Sequence, residues 1–257
     1  MRYIADLHIH SHFSIATSGE CDPLHLFEAA ARKGINLVGT GDFTHPGWRE
    51  ELTQSLEPDG GSGLFRLKPE LECQARNRLP GPVRDAVVRF VLSSEISSIY
   101  KKGGRARKVH NVILMPSLEA ASALSNRLER IGNIRSDGRP ILGLDCRELL
   151  AMSLEANPDC CFIPAHIWTP HFSVFVSKSG FERMEDCYGD LTEAIYAVET
   201  GLSSDPPMNW RLSALDRFAL VSNSDAHSPD KLAREANLLD SELSWEGLTG
   251  ALRSRDP

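Results

Sequence analysis

The chain has 257 residues, 41% of them hydrophobic, enough to bury one substantial core within a single domain. Its 35 acidic residues outnumber the 28 basic ones, and the resulting net charge of −7 excludes a general electrostatic attraction to nucleic acid. No apolar stretch reaches the roughly 18 residues of a membrane span. The six cysteines form no C-x-x-C pair, so a zinc ribbon is not encoded either.

In chain order, residues 1–6 run straight into an apolar strand with no signal-peptide pattern, and the expectation is a cytoplasmic protein. The strand leads into His8-Ile9-His10, where positions i and i+2 point to one face and aim two ligands at one point. Residues 23–33 predict a helix capped by Asp22 and closed by Gly34. Residues 35–41 form an apolar run ending at Asp42, with His45 close behind. Residues 48–63 and 67–82 are rich in Gly, Pro and charge and predict an excursion over the rim, within about 48–86. A further strand, 87–92, ends at Glu95.

Residues 96–109 predict a basic hairpin, so that Glu95 ends one strand and His110 opens its antiparallel partner, 112–115. Helices are expected over 117–131, where Leu118, Ala121, Leu124, Leu128 and Ile131 share one face, and over 147–154 and 210–214. Apolar runs 160–165, 194–198 and 218–221 lead to His166, to Glu199, and to Asp225 with His227. Repetition of an apolar run followed by His, Asp or Glu places these groups on one rim, past the carboxyl ends of parallel strands. The expected class is α/β, a single domain over 1–257, with both ends of the chain meeting at one metal site.

Taken together, His8-Ile9-His10-Ser11, Glu95, His110, His166 and Ser224-Asp225-Ala226-His227 resemble the motifs of the polymerase and histidinol phosphatase (PHP) superfamily. Within it, residues 5–14 (ADLHIHSHFS), 39–48 (GTGDFTHPGW), 94–112, 164–172 (PAHIWTPHF) and 221–237 look like the endonuclease Q family. Many superfamily members carry Thr-Asp-His at the second motif, whereas Thr40-Gly41-Asp42 agrees with the endonuclease-like branch. The resemblance implies a distorted seven-stranded β/α (TIM-like) barrel holding two or three divalent metals. Zinc is the first choice, with manganese, magnesium or iron as alternatives.

By the same resemblance, the first metal would take His8, His10, Glu95 and Asp225, and the second Glu95, His110 and His166, with Glu95 as the bridge. A third would use Asp42 and His227, helped by His45 or His12. Glu199 is a ligand or a partner standing behind one. Asp225, Glu95 and His227 would carry the catalysis. The implied reaction is a DNA nick on the 5′ side of uracil, hypoxanthine, xanthine or an abasic site, by metal-activated hydroxide attacking phosphorus. Lys101, Lys102, Arg105, Arg107 and Lys108 form a dense basic run in an acidic chain, between two expected ligands, and are expected to grip DNA phosphates. Trp168, Phe172 and residues 173–181, with Trp48 from a neighbouring loop, are the expected walls of a pocket for the damaged base. Endonuclease Q proteins continue into a zinc-bearing module and a helical region, which would here be missing or supplied by a separate partner. The alternatives are a PHP phosphatase or phosphodiesterase for a small phosphorylated metabolite, and a non-catalytic PHP structural module.

Overall fold

The computed structural model describes residues 1–176 and 178–254. Its first strand, β1 (Arg2–Asp6), buries Tyr3 and Ala5. Helix α1 (Pro23–Lys33) starts where the Asp22 side chain accepts from His25 N, and stops at Gly34, which adopts the left-handed conformation. The chain returns as β2 (Leu37–Gly39), parallel to β1. The expected excursion is more ordered than its composition suggests: it holds α2 (Pro46–Ser55), a hairpin of β3 (Leu56–Pro58) and β4 (Phe65–Leu67), and α3 (Pro69–Arg78). Trp48, Leu52, Leu67 and Ala75 anchor it in the core.

The strand expected to stop near Leu92 instead runs on as β5 (Arg89–Lys102), and Glu95 lies within it. Its first residues pair with β2 and β4. From Leu92 it pairs with β6 (Arg105–Met115), setting Ser97 opposite His110, with Gly103-Gly104 at the turn. Both glycines have positive φ, the backbone a tight hairpin needs. Then follow α4 (Leu118–Leu128), β7 (Ile141–Leu142), α5 (Cys146–Ala156), β8 (Cys161–Pro164) and α6 (Met184–Tyr188). The remainder comprises β9 (Ala197–Glu199), α7 (Pro206–Asn209), β10 (Ala219–Val221), β11 (Asn237–Asp240) and α8 (Trp245–Ser254). The helix expected over 210–214 does not form, because α7 takes its start at Asp205 and Pro206, and residues 213–215 make only a short 3₁₀ turn.

Among the described residues the strands form a nine-stranded sheet and a separate parallel pair, β9 with β10. The pairings trace no closed ring of seven strands. The extra strands are the β3–β4 hairpin, the short β7, and β11, which returns antiparallel to β1. A single bridge between Ile9 and Ala226 ties the pair's outgoing turn to the segment after β1. Alternate residues of β1, β6 and β8 share one apolar cluster with Trp245, Leu248 and Leu252 of α8, while Val38, Phe90, Ile113 and Phe162 pack in a second with α1, α4 and α5. Domain extent over 1–257 ends in residues 255–257, outside those described.

Candidate metal centre

Ile9 and Ala226 are buried and joined backbone to backbone, with His10 N donating to Ala226 O at 2.9 Å. Alternation in the extended 8–10 segment turns both residues flanking the bridge to the opposite face, and left-handed backbone at Asp225 brings its side chain to the same side. That face carries His8 and His10 from one segment and Asp225 and His227 from the other. His10 Nε2 lies 3.1 Å from Asp225 Oδ1, His8 Nε2 lies 3.8 Å from the same oxygen, and the His10 and His227 rings are 4.4 Å apart. Residues from the two ends of the chain thus meet at one point.

Glu95 is the hub of the cluster. Its Oε1 stands 2.7 Å from His110 Nδ1, 3.0 Å from His166 Nε2 and 3.6 Å from His8 Nε2, and its Oε2 lies 3.4 Å from His10 Nε2. Three overlapping groups have ligand atoms within 4.8 Å of one another: His8-His10-Glu95, His10-Asp225-His227 and Glu95-His110-His166. Burial opposes charge on Glu95, but His110, His8 and His10 outweigh it and hold the carboxyl well below its ordinary range. Burial likewise opposes protonation of His8, and Glu199 and Glu95 reverse the balance, holding the imidazole well above its usual value.

Carboxylates stand behind both leading imidazoles. Glu199 lies 3.0 Å from His8 Nδ1, and Asp42 lies 3.1 Å from His10 Nδ1, so both Nε2 atoms face the cluster. Among the described residues the buried His8 Nε2 has no hydrogen-bond partner. A ring nitrogen so aimed, in an imidazole oriented by a carboxylate, fits a divalent cation and is costly to bury otherwise. Asp42, His166 and Asp225 all adopt left-handed backbone, at φ 51°, 29° and 48°, which costs non-glycine residues about 1–3 kcal/mol each and clusters at functional sites.

No family model matches the chain. Endonuclease Q of Pyrococcus furiosus, a lesion-specific endonuclease, is similar with a TM-score of 0.81 at 32% identity, over 99% of this chain and 56% of that one. An endonuclease Q in complex with a 27-mer duplex substrate bearing an abasic lesion at the active site gives the same score and identity, over 99% and 57%. This chain is a PHP-superfamily protein close to endonuclease Q. The uncharacterized protein YqxK of Bacillus subtilis is 33% identical over 219 residues, 83% of this chain and 50% of that protein. A phosphoesterase-like protein of Bifidobacterium adolescentis, at 16% identity and a TM-score of 0.58, shares the fold alone. The chain spans about half the length of the endonuclease Q structures and of YqxK.

In this PHP chain the other expected residues fall in varied places. Asp42 spends its second oxygen on Ser11 N, Ser11 Oγ and Ser14 Oγ at 2.7–2.8 Å, so it orients His10 and lies outside the three ligand groups. Glu199 similarly accepts from Asn223 Nδ2 and His166 N. His45 caps α2 and meets Arg135 O with its other nitrogen, while His12 pairs with Glu51. Trp48 is fully buried, its indole donating to Gly41 O, and is core rather than pocket wall. Trp168 donates to Asn209 and stacks on Phe175, whereas Phe172 packs against His110 at 4.6 Å. Within 173–181, Ser177 lies outside the described residues.

The basic hairpin is divided. Lys102 donates to Cys187 O and faces Asp145, and Arg107 bonds Gly180 O and lies over Phe181. Lys108 stands over Phe172, and Lys101 and Arg105 are exposed. Sequence reasoning passed over Asp6, Asn223 and Arg139. Asp6 accepts from Ser224 N and Ala233 N and so shapes the turn carrying Asp225; burial pushes its carboxyl up to about 6. Asp6 ends an apolar run as the noted residues do, but Arg139 sits in a Gly-Pro turn that gives no signal.

Proposed function

We propose that this PHP domain is a metal-dependent phosphodiesterase that nicks DNA on the 5′ side of deaminated bases or abasic sites. The observation that carries the reading is Glu95, buried among four imidazoles, beside an unpartnered His8 Nε2. His8, His10, Glu95 and Asp225 would hold one cation, and Glu95, His110 and His166 a second, with Glu95 shared. A third position rests on His227 with His10 and Asp225, leaving Asp42 as a support. Imidazole-rich sites with bridging carboxylates suit zinc, with manganese or iron next. Bound divalent cations supply Lewis acidity, lowering the pKa of water and neutralising charge on phosphate oxygens.

The chain's own groups supply orientation and proton handling. Glu199 and Asp42 hold Nδ1 of His8 and His10, so each Nε2 would give up its proton and turn a lone pair inward when a cation takes its place. His227 Nδ1 meets Asp225 O at 3.0 Å, and its ring is the most exposed of the imidazoles in the three groups, so with two cations held and the third position open its Nε2 is positioned to exchange a proton with an attacking or departing oxygen. Exposed Lys101 and Arg105, beyond the rim, give the backbone of a duplex its first contacts.

A small chromogenic diester tests the chemistry apart from DNA. Protein loaded with zinc or manganese is expected to hydrolyse bis(p-nitrophenyl) phosphate, and both a chelator and Asp225→Ala are expected to abolish turnover. Hydrolysis of monoesters alone would favour the metabolite phosphatase, and inactivity with every divalent metal would favour a structural module.

A further inference from the structure

Arg139 stands at the mouth of the cluster, and no role above uses it. Its Nη1 donates to Glu95 Oε2 at 3.2 Å, while 30% of the side chain remains exposed. A guanidinium carries five N–H donors in one plane. Among the described residues, Glu95 is the one acceptor its side chain meets.

The turn that presents Arg139 is fixed to the site itself. Asp137 Oδ1 accepts from Arg139 N at 3.1 Å and from Ile15 N at 3.2 Å. Gly138 N donates to Phe13 O at 3.0 Å, and Ser97 N donates to Pro140 O at 3.0 Å. A methyl group on Gly138 would run into the Asp42 carboxylate and Ser14 Oγ, so glycine alone lets the turn come this close to the support of His10. The turn that carries the guanidinium is therefore packed directly against Asp42 and Ser14, the residues behind His10.

We propose that Arg139 binds the non-bridging oxygens of the scissile phosphate, a role that rests on the phosphodiesterase reading above. Its planar fork matches two phosphate oxygens at once, which an ammonium cannot do. A cluster rich in carboxylates repels a phosphodiester wherever cations do not offset it, and a fixed guanidinium removes part of that repulsion. The competing role is neutralisation of Glu95 alone.

The two roles separate in metal-loaded Arg139→Ala and Arg139→Lys, with Arg135→Ala as a control for charge in the same loop. Three quantities are measured: bound metal by elemental analysis, affinity for inorganic phosphate by calorimetry, and hydrolysis of bis(p-nitrophenyl) phosphate with and without millimolar guanidinium. For Arg139→Ala the expectation is unchanged metal content, phosphate affinity about tenfold weaker, and kcat/KM about 100-fold lower. Guanidinium should partly restore that variant, Lys should be intermediate, and Arg135→Ala should match the wild type. Unchanged phosphate affinity, or loss of metal in step with activity, would overturn the proposal. A wild type inactive on every phosphoester, whose phosphate affinity still depends on Arg139, would sink the phosphodiesterase reading and leave an anion site. If that affinity is also indifferent to Arg139, both fail.

Discussion

Four carboxylates at the cluster take one of two positions, facing the ligand atoms or standing behind an imidazole, and the sequence does not distinguish them. Glu95 and Asp225 face inward, whereas Glu199 and Asp42 hold the far nitrogens of His8 and His10. Glu199→Gln keeps the shape and removes the charge behind His8, so metal affinity or kcat/KM should fall about 10–100-fold, read by competition with a chelating dye and by diester hydrolysis. The residue types were legible because these His, Asp and Glu residues follow apolar runs, His110 alone preceding its own. Their direction was not, since it depends on Ser11 and Ser14 occupying Asp42 and on the left-handed backbone at Asp225. Trp48 teaches the same lesson: an indole in a Gly- and Pro-rich stretch looks exposed, yet it is buried. Trp48→Ala should cost about 3–5 kcal/mol, measured by urea unfolding.

The β5–β6 hairpin shows how far one element can be read. Gly103-Gly104 marks its turn, and His110 returns beside Glu95 as expected. Its length was hidden because Ser93, Ser94, Ser97 and Ser98 read as loop, although all four are buried within the strand. The five cations read as one patch, but Lys102 and Arg107 turn to the 180–187 segment. Two different outcomes are therefore expected. Lys101→Ala with Arg105→Ala should weaken DNA cleavage, reduce the salt slope by about two phosphates' worth, and spare the small diester. Arg107→Ala should instead lower stability by about 1–3 kcal/mol, through the lost charged hydrogen bond and the contact with Phe181, as thermal unfolding would report.

At the scale of the whole molecule, alternation of strand and helix was legible, and so was the convergence of the two chain ends. Strand number was not, because the β3–β4 hairpin lies in a stretch that looks like loop, and β11 pairs with β1 across nearly the whole sequence. The Ile9–Ala226 bridge joins segments more than two hundred residues apart, so the cluster depends on the complete tertiary fold. Cation binding should then stabilise that fold: at a free concentration 100 times Kd, one site adds about 2.7 kcal/mol, seen as a rise in Tm that chelator reverses and Asp225→Ala diminishes. The most direct measurement is incubation of metal-loaded protein with end-labelled DNA containing a single deoxyuridine or deoxyinosine, beside undamaged DNA and Asp225→Ala. The expected result is one nick immediately 5′ of the lesion, absent from both controls. Intact lesion DNA in the presence of protein that holds metal and hydrolyses the small diester would contradict DNA as the substrate of this domain.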